Sequence, residues 1–120
     1  MSIRRLVDAH LSVLERVYHY KAPTAAVDSG EPYLVWGETG ITAMPADDGP
    51  AEWAVDGMSY YYTRREYDED FDALCQALAD AGIAFRPGRI GWDDATETMT
   101  YEIAWSVEVS PCGAYAEDDE

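Results

Sequence analysis

The sequence predicts an α+β fold, in which an antiparallel sheet of about four strands carries two helices on one face, in the order α-β-β-α-β-β. From Thr98 to Val109 the chain reads T-M-T-Y-E-I-A-W-S-V-E-V. Apolar residues occupy every second position there, which indicates a strand with one buried face. Two other segments repeat apolar residues every three or four positions, as amphipathic helices do. Short links around the second of them favour antiparallel strands.

The first helix is predicted from Ile3 to Val17, with Ser2 as its N-cap. Its apolar stripe consists of Ile3, Leu6, Val7, His10, Leu11, Leu14, Val17 and Tyr18. This stripe is expected to pack against the sheet, after which Val17 to Lys21 form a short extended stretch.

The next segment is rich in turn residues. Ala22 to Pro32 contains Pro23 and Gly30 and is predicted to be a turn region. Tyr33 to Trp36 is a compact apolar run, which indicates a strand entering the core. Gly37 to Pro50 holds three glycines and two prolines, so we expect a long exposed loop.

The second strand is predicted within Trp53 to Tyr67, with a turn or a bulge at Asp56-Gly57. Tyrosine is favoured in strands because it covers a pleated surface well. Tyrosines fall on both faces of this strand: Tyr60 and Tyr62 on one, Tyr61 on the other. The strand is therefore expected to be covered on both sides or to lie at an interface.

The second helix is predicted from Asp70 to Ala81. Asp68 or Asp70 caps its start, and Gly82 follows its end. Its buried stripe consists of Phe71, Leu74, Cys75, Leu78 and Ala81.

The last third of the chain contains two further strands. Ile83 to Phe85 begins the first, Pro87 and Gly88 break it, and Ile90 to Trp92 continue it. Asp93 to Glu97 form the turn into the final strand. Residues 1–109 are thus predicted to be one domain, and residues 110–120 an acidic disordered tail.

The charge balance excludes several classes of function. Eight basic residues against 24 acidic ones give a net charge of −16. Such a surface disfavours nucleic-acid backbones and anionic membranes, which bind clustered lysine and arginine. The sequence shows no signal peptide and no membrane span, which predicts a cytoplasmic location. Cys75 and Cys112 lie too far apart for a disulfide framework or a zinc site.

No residue pattern predicts catalysis, a metal or a cofactor. His10 lies on the apolar stripe, where a single histidine is expected to be a core or boundary residue, and neither it nor His19 has a partner at ligand spacing. The pairs Asp93-Asp94 and Asp47-Asp48 are interpreted as turn residues. The run 68–72 lacks the spacing of a calcium loop, so helix capping is preferred. We therefore predict that the protein is not an enzyme.

Aromatic residues give the strongest indication of protein contacts. Tyrosine and tryptophan are enriched at protein interfaces. Trp36 and Trp105 are assigned to the core. Arg64 and Arg65, with Arg86 and Arg89, are expected to pair with acids within the subunit or across an interface. The interface candidates are Trp53, Tyr60, Tyr62, Arg64, Arg65 and Trp92.

Four segments together carry a family resemblance. They are P-Y-L-V-W (Pro32–Trp36), M-S-Y-Y-Y-T-R-R-E-Y-D-E-D-F-D (Met58–Asp72), A-L-A-D-A-G-I (Ala77–Ile83) and M-T-Y-E-I-A-W-S-V-E-V (Met99–Val109). In this order, over about Ile3 to Val109, the chain resembles tail-completion proteins of long-tailed phages and prophages, the tail terminator and head–tail joining group. It departs from them in its strong acidity and in the segment Cys112 to Glu120.

The resemblance implies a structural protein of the virion, assembled in the host cytoplasm. Such proteins form a ring at the end of the tail tube, stop its polymerisation and join it to the head connector. The implied partners are further copies of the chain, in a ring of about six, the tail tube and the connector. The loop Gly37 to Pro50 and the strand edges would face these partners.

Two alternatives remain at the level of the sequence. An acidic interaction module, similar to an immunity protein or antitoxin, would mask a basic partner, and its binding would weaken steeply with salt. A small enzyme would instead show a deep pocket with converging polar groups and shifted pKa values.

Overall fold

The computed structural model describes residues 2–46 and 49–117, with backbone only for 44–46 and 49–51. In chain order the elements are α1 (Arg4–Leu11), β1 (Val17–His19), α2 (Thr24–Asp28), β2 (Tyr33–Ala46), β3 (Gly49–Thr63), α3 (Glu69–Asp80), β4 (Ala84–Asp93) and β5 (Thr98–Val109). The five strands form one sheet in the order β1-β2-β3-β5-β4.

The α+β class is confirmed, but the predicted sheet differs in detail. The prediction was about four antiparallel strands and two helices, whereas the described residues form five strands and three helices. The additional strand is β1, which lies in the short extended stretch and pairs parallel with β2, so the sheet is mixed. The additional helix, α2, is a single short turn of helix within the predicted turn region.

The prediction of an exposed loop from Gly37 to Pro50 is wrong for those residues of the segment that the structure describes. Strand β2 continues through these residues to Ala46 and pairs with β3 as a long antiparallel hairpin. Glycine and proline disfavour strands locally, but cross-strand pairing with β3 overrides that preference. The register of the hairpin shifts between Glu38 and Gly40 and again between Met44 and Ala46. Such shifts accommodate residues that fit regular strand pairing poorly. The pair Asp47-Asp48 lies outside the described residues.

Helices α1 and α3 pack on one face of the sheet and form the core with it. Leu6, Leu74 and Leu78 from the helices are fully buried. They meet the alternate residues of the strands, which are Leu34, Trp36, Val55, Tyr61, Ile103, Trp105 and Val107. Trp36 and Trp105 therefore lie in the core, as predicted.

The first helix is shorter than its apolar spacing indicated. It ends at Leu11, although Leu14 and Val17 still pack into or against the core. The Ser12 hydroxyl donates to the Ala9 carbonyl oxygen at 2.6 Å, a bond that competes with helical geometry. Core-facing residues after Ser12 thus belong to a turn and to β1.

Strand β4 is continuous where a break was expected. It passes Pro87 and Gly88 with a register shift against β5 before Ile90. As the last strand of the sheet it has one unpaired edge, where proline is tolerated.

The described residues after Val109 contact the folded body. Ala114 is buried, and its carbonyl oxygen accepts from the Ile3 backbone N–H at 2.7 Å. The Tyr115 hydroxyl donates to Glu38 Oε2 at 2.7 Å. The predicted division into one domain at residues 1–109 and a disordered tail at residues 110–120 stays a prediction.

Candidate functional site

The face of the sheet opposite α1 and α3 is the most distinctive surface of the protein. Strand register aligns Val35, Tyr60 and Glu102 in one row across it, and Tyr33, Tyr62 and Thr100 in the next. All six side chains are half-buried although neither α1 nor α3 covers them. We call this surface the open face.

Tyrosines dominate the open face and contact one another. The rings of Tyr33 and Tyr62 stack with centroids 4.7 Å apart. Burial raises the pKa of both phenols, so they stay protonated at neutral pH. Stacked tyrosines expose rigid apolar rings with polar tips, which suits protein contacts.

A shallow groove of about 330 Å³ crosses this face. Its lining includes Tyr20, Val35, Gly37, Met58, Tyr60 and Tyr62. Tyr20 adopts a positive φ of 66° and lies over Gly37, where a Cβ atom would sit 2.5 Å from its ring. The Tyr20 hydroxyl donates to the Glu38 carbonyl oxygen at 3.0 Å. Glycine at position 37 therefore makes room for the tyrosine that closes one end of the groove.

The edge strand β4 is a second exposed surface. Ile90 is 65% exposed and Trp92 58% exposed, which is unusual for large apolar side chains. Arg86 and Arg89 lie on the same strand, and neither forms an ion pair within the described part of the chain. Long, apolar, unpaired edges tend to pair with another chain.

Glu38 joins three segments beside the groove. Its Oε1 lies 2.6 Å from His19 Nε2, and its Oε2 accepts from Tyr115. Burial alone would raise the pKa of this carboxyl group, but hydrogen bonds from His19, Tyr115 and the backbone outweigh it and lower the pKa to about 2. The bond to the carboxylate raises the pKa of Tyr115 to about 12. The carboxylate thus attaches the C-terminal segment to β1 and β2.

The acidic run before α3 is a helix cap. Asp68 is buried; its Oδ1 accepts from the Asp70 backbone N–H at 2.8 Å, and its Oδ2 accepts from the Tyr61 and Thr63 hydroxyls at 2.6 Å each. Although burial opposes it, these bonds and the charge of Arg65 lower the pKa of Asp68. The capping interpretation is therefore confirmed for Asp68.

His10 is buried, as predicted, and belongs to a polar network in the core. Its Nε2 lies 3.0 Å from Ser59 Oγ, which accepts from the Trp105 indole N–H at 2.9 Å. Burial lowers the pKa of His10 to about 4, so the ring is neutral at pH 7. The network holds Trp105 in place beneath the sheet.

The structure separates the six interface candidates. Tyr60 and Tyr62 lie together on the open face, and Trp92 lies on the β4 edge. Arg64 is exposed beyond the end of β3, close to Gly30. Trp53 packs against the core from the helical side, and Arg65 pairs with Asp68 and Asp70.

Sequence reasoning missed Tyr20, Tyr33, Val35 and Met58 as members of the open face. Tyr33 and Val35 alternate with the core residues Leu34 and Trp36, so the period of two contained the signal. Membership of the open face could be inferred only once the pairing of β2 with β3 was known, because that pairing places Tyr33 beside Tyr62.

In the part of the chain that the structure describes, no three His, Cys, Asp or Glu residues gather to hold a metal ion. Burial or hydrogen bonding to a neighbouring group accounts for the shifted pKa values of His10, Glu38, Asp68 and Cys75. No helix within residues 2–46 and 49–117 is long and apolar enough to cross a membrane.

The fold is thus a sheet with α1 and α3 on one face and half-buried tyrosine rings on the other. Among solved structures, the chain is similar to a chain of the virion of a native gene transfer agent (GTA) particle. The identity is 14%, the TM-score is 0.60, and the likeness covers 92% of each chain. The resemblance inferred from the sequence is thus confirmed at the level of the fold.

A second similar structure is a chain of the sheath/tube terminator, in its extended state, of the extracellular contractile injection system PVC. The identity is 10% and the TM-score 0.44. This chain spans 64% of that chain's length, and all of this chain is covered. No protein-family model matches the sequence, and no curated protein sequence matches it.

Proposed function

We propose that the protein is a structural component of a phage-like tail or neck, which caps the tail tube and joins it to the head connector. The observation that carries the proposal is the likeness over nearly the full length to a chain of a gene transfer agent virion. The tail-completion motifs in the sequence support the specific position. Because a fold alone does not define a function, the mechanism depends on the residues that the protein exposes to its neighbours.

The mechanism is geometric. A capping protein needs a rigid surface that binds its neighbours, and the open face and the β4 edge supply two such surfaces on one sheet. Copies joined through closed cyclic symmetry form a ring, and the ring size follows from the angle between neighbours. We infer a homo-oligomeric ring of about six copies. The protein would assemble in the host cytoplasm and remain in the virion.

Locating the protein in the particle tests this proposal. An epitope tag after Glu120, labelled with gold-conjugated antibody, is expected to mark the head–tail junction of purified particles in electron micrographs. A tagged tail-tube subunit serves as the control for labelling along the tail. Label that is absent from intact particles, or that lies only at the distal tip, would overturn the proposal.

The alternative of an acidic module that masks a basic partner retains one supporting observation. Within the described residues, Arg65 is the one arginine or lysine that pairs with acids, so most carboxylates are available to a partner. This alternative requires a tight complex with a basic protein that weakens as salt screens the charges.

A further inference from the structure

We propose that the β4 edge of one copy docks into the open-face groove of a second copy, head to tail. This inference rests on the proposed function, since it names the contact by which the ring forms. The edge contributes Arg86, Arg89, Ile90 and Trp92. The groove contributes Tyr20, Val35, Met58, Tyr60 and Tyr62.

Charge restricts where two copies can meet. Each copy carries −16, so most orientations bring like charges together. Across β2, β3 and β5, the three central rows of the open face consist of tyrosine, valine, glycine, methionine, threonine and alanine, with Glu102 as their one charged residue. The open face is therefore a surface on which a second copy can approach at low electrostatic cost.

The two surfaces are complementary in charge. The β4 edge carries Arg86 and Arg89 without an ion pair among the described residues. The groove lining as described contains Glu38 and no basic residue, and Asp56 and Glu102 lie on the same face of the sheet. Arginines of one copy can thus meet carboxylates of the next.

The two surfaces are also complementary in shape. Ile90 and Trp92 are exposed on the edge strand, opposite Tyr101 and Met99 of β5, whereas the groove is concave and lined by tyrosine rings. Tryptophan and arginine are the residues that most often anchor interfaces. Because the edge and the groove are different surfaces of one chain, the contact is heterologous, and it closes into a ring when the rotation between copies allows.

Thiol cross-linking separates this contact from symmetric ones. In a Cys75→Ala/Cys112→Ser background, Gly91→Cys beside Trp92 and Thr39→Cys in the groove lining are made singly and together, so that Trp92 and Tyr60 stay in place. A flexible bis-maleimide is added at high protein concentration. The double variant is expected to give a ladder of multimers. An equal mixture of the two single variants is expected to stop at one-to-one dimers, and each single variant alone should stay monomeric.

The controls make every outcome decisive. Gln76→Cys on the exposed side of α3 replaces Thr39→Cys in a matched double variant, and thermal unfolding verifies that each variant folds. Single variants that cross-link to themselves as well as the mixture does would show a symmetric contact and overturn the proposal. A ladder no stronger than that of the Gln76→Cys control would also overturn it.

Charge reversal tests the arginines without altering the core. Arg89→Glu in the cross-linking double variant is expected to lower the yield of multimers about tenfold. The matched variant Arg4→Glu, which reverses an exposed arginine on α1, should leave most of the yield unchanged. Equal yields from both would contradict the role of the edge arginines.

The two proposals fail separately. If gold label marks the head–tail junction but the ladder does not form, the function stands and this contact is wrong. If the ladder forms but no label marks the particle, the contact stands and the proposed function is wrong.

Discussion

Glu38 and Asp68 show how single carboxylates connect distant parts of this acidic chain. Each is largely buried, and each accepts hydrogen bonds from at least two other side chains. Glu38 connects β1 and the C-terminal segment to β2, and Asp68 connects the end of β3 to the start of α3. A carboxylate that accepts several hydrogen bonds is stabilised in its charged form.

Removing the carboxylate of Asp68 should destabilise the fold. Asp68→Ala removes the cap of α3 and leaves the fully buried Tyr61 hydroxyl without its acceptor. We expect the free energy of unfolding to fall by about 3 kcal/mol in urea titrations. Asp72→Ala, at an exposed position of the same helical turn, is the control and should change it by less than about 0.5 kcal/mol. Equal losses would contradict the capping role.

Glu38 should make stability depend on pH in acid. Its pKa is about 2 in the fold, below its ordinary value of 4.5. Its contribution is therefore fully present above pH 4.5 and is lost as the pH falls towards 2. Glu38→Gln is expected to cost about 2 kcal/mol at pH 7.

Urea titrations of the wild type and of Glu38→Gln at pH 7 and near pH 2 test this expectation. The difference between the two proteins should shrink in acid. A difference of the same size at both pH values would exclude the ionised carboxylate as its source.

At the scale of single residues, the sequence predicted the interactions between residues that are close together in the chain. Asp68 lies immediately before an apolar helical stripe, so its capping role was visible. Glu38 accepts from Tyr115, which is 77 residues away in sequence. No spacing rule connects two such residues, and only the folded sheet brings them together.

Among the elements, the β2–β3 hairpin departs most from expectation. Its glycines allow a neighbouring strand and a core side chain to come unusually close to the backbone. A Cβ atom on Gly57 would collide with the Gly37 carbonyl oxygen and would lie 2.5 Å from the Trp105 ring. Gly57 therefore lets Trp105 pack flat beneath the strand.

Gly57→Ala should strongly destabilise the hairpin and the core below it. We expect a loss of at least about 2 kcal/mol, since neither the backbone oxygen nor the buried indole can move away cheaply. Gly40→Ala is the matched control, because nothing lies within 4 Å of its Cβ position. Urea unfolding followed by Trp fluorescence measures both, and similar stabilities for the two variants would refute the close contact.

The elements whose bounds were predicted well are those in which apolar and polar residues alternate without interruption. Strand β5 has the predicted bounds, Thr98 to Val109, because its alternation is uninterrupted. The extension of β2 to Ala46 was missed because glycine and proline interrupt the pattern. Pairing with β3, the next strand of the hairpin, supplies the stability that local preference lacks.

Over the whole molecule, charge sets how copies associate. With −16 on each copy, self-association should strengthen as salt screens the repulsion. We expect the dissociation constant between copies to fall about tenfold from low salt to 0.5 M, a range in which the Debye length drops to roughly 4 Å. Light scattering across concentration and salt series measures it.

The acidic-module alternative predicts the opposite dependence on salt. Its complex with a basic partner should weaken over the same range. The two functions therefore differ in which complex forms and in how salt changes it: contacts between copies strengthen with salt, whereas the complex with a basic partner weakens. Lysozyme serves as a basic control protein for non-specific attraction.

The most direct test of the central claim is the length of the tails and their attachment to heads in particles made without this protein. In the cells that produce it, a stop codon replaces Ser2, and a plasmid copy of the gene serves as the control. Our account predicts tail tubes of variable length that are separated from filled heads in electron micrographs, with both defects restored by the plasmid. Complete particles with tails of normal length and attached heads would contradict it.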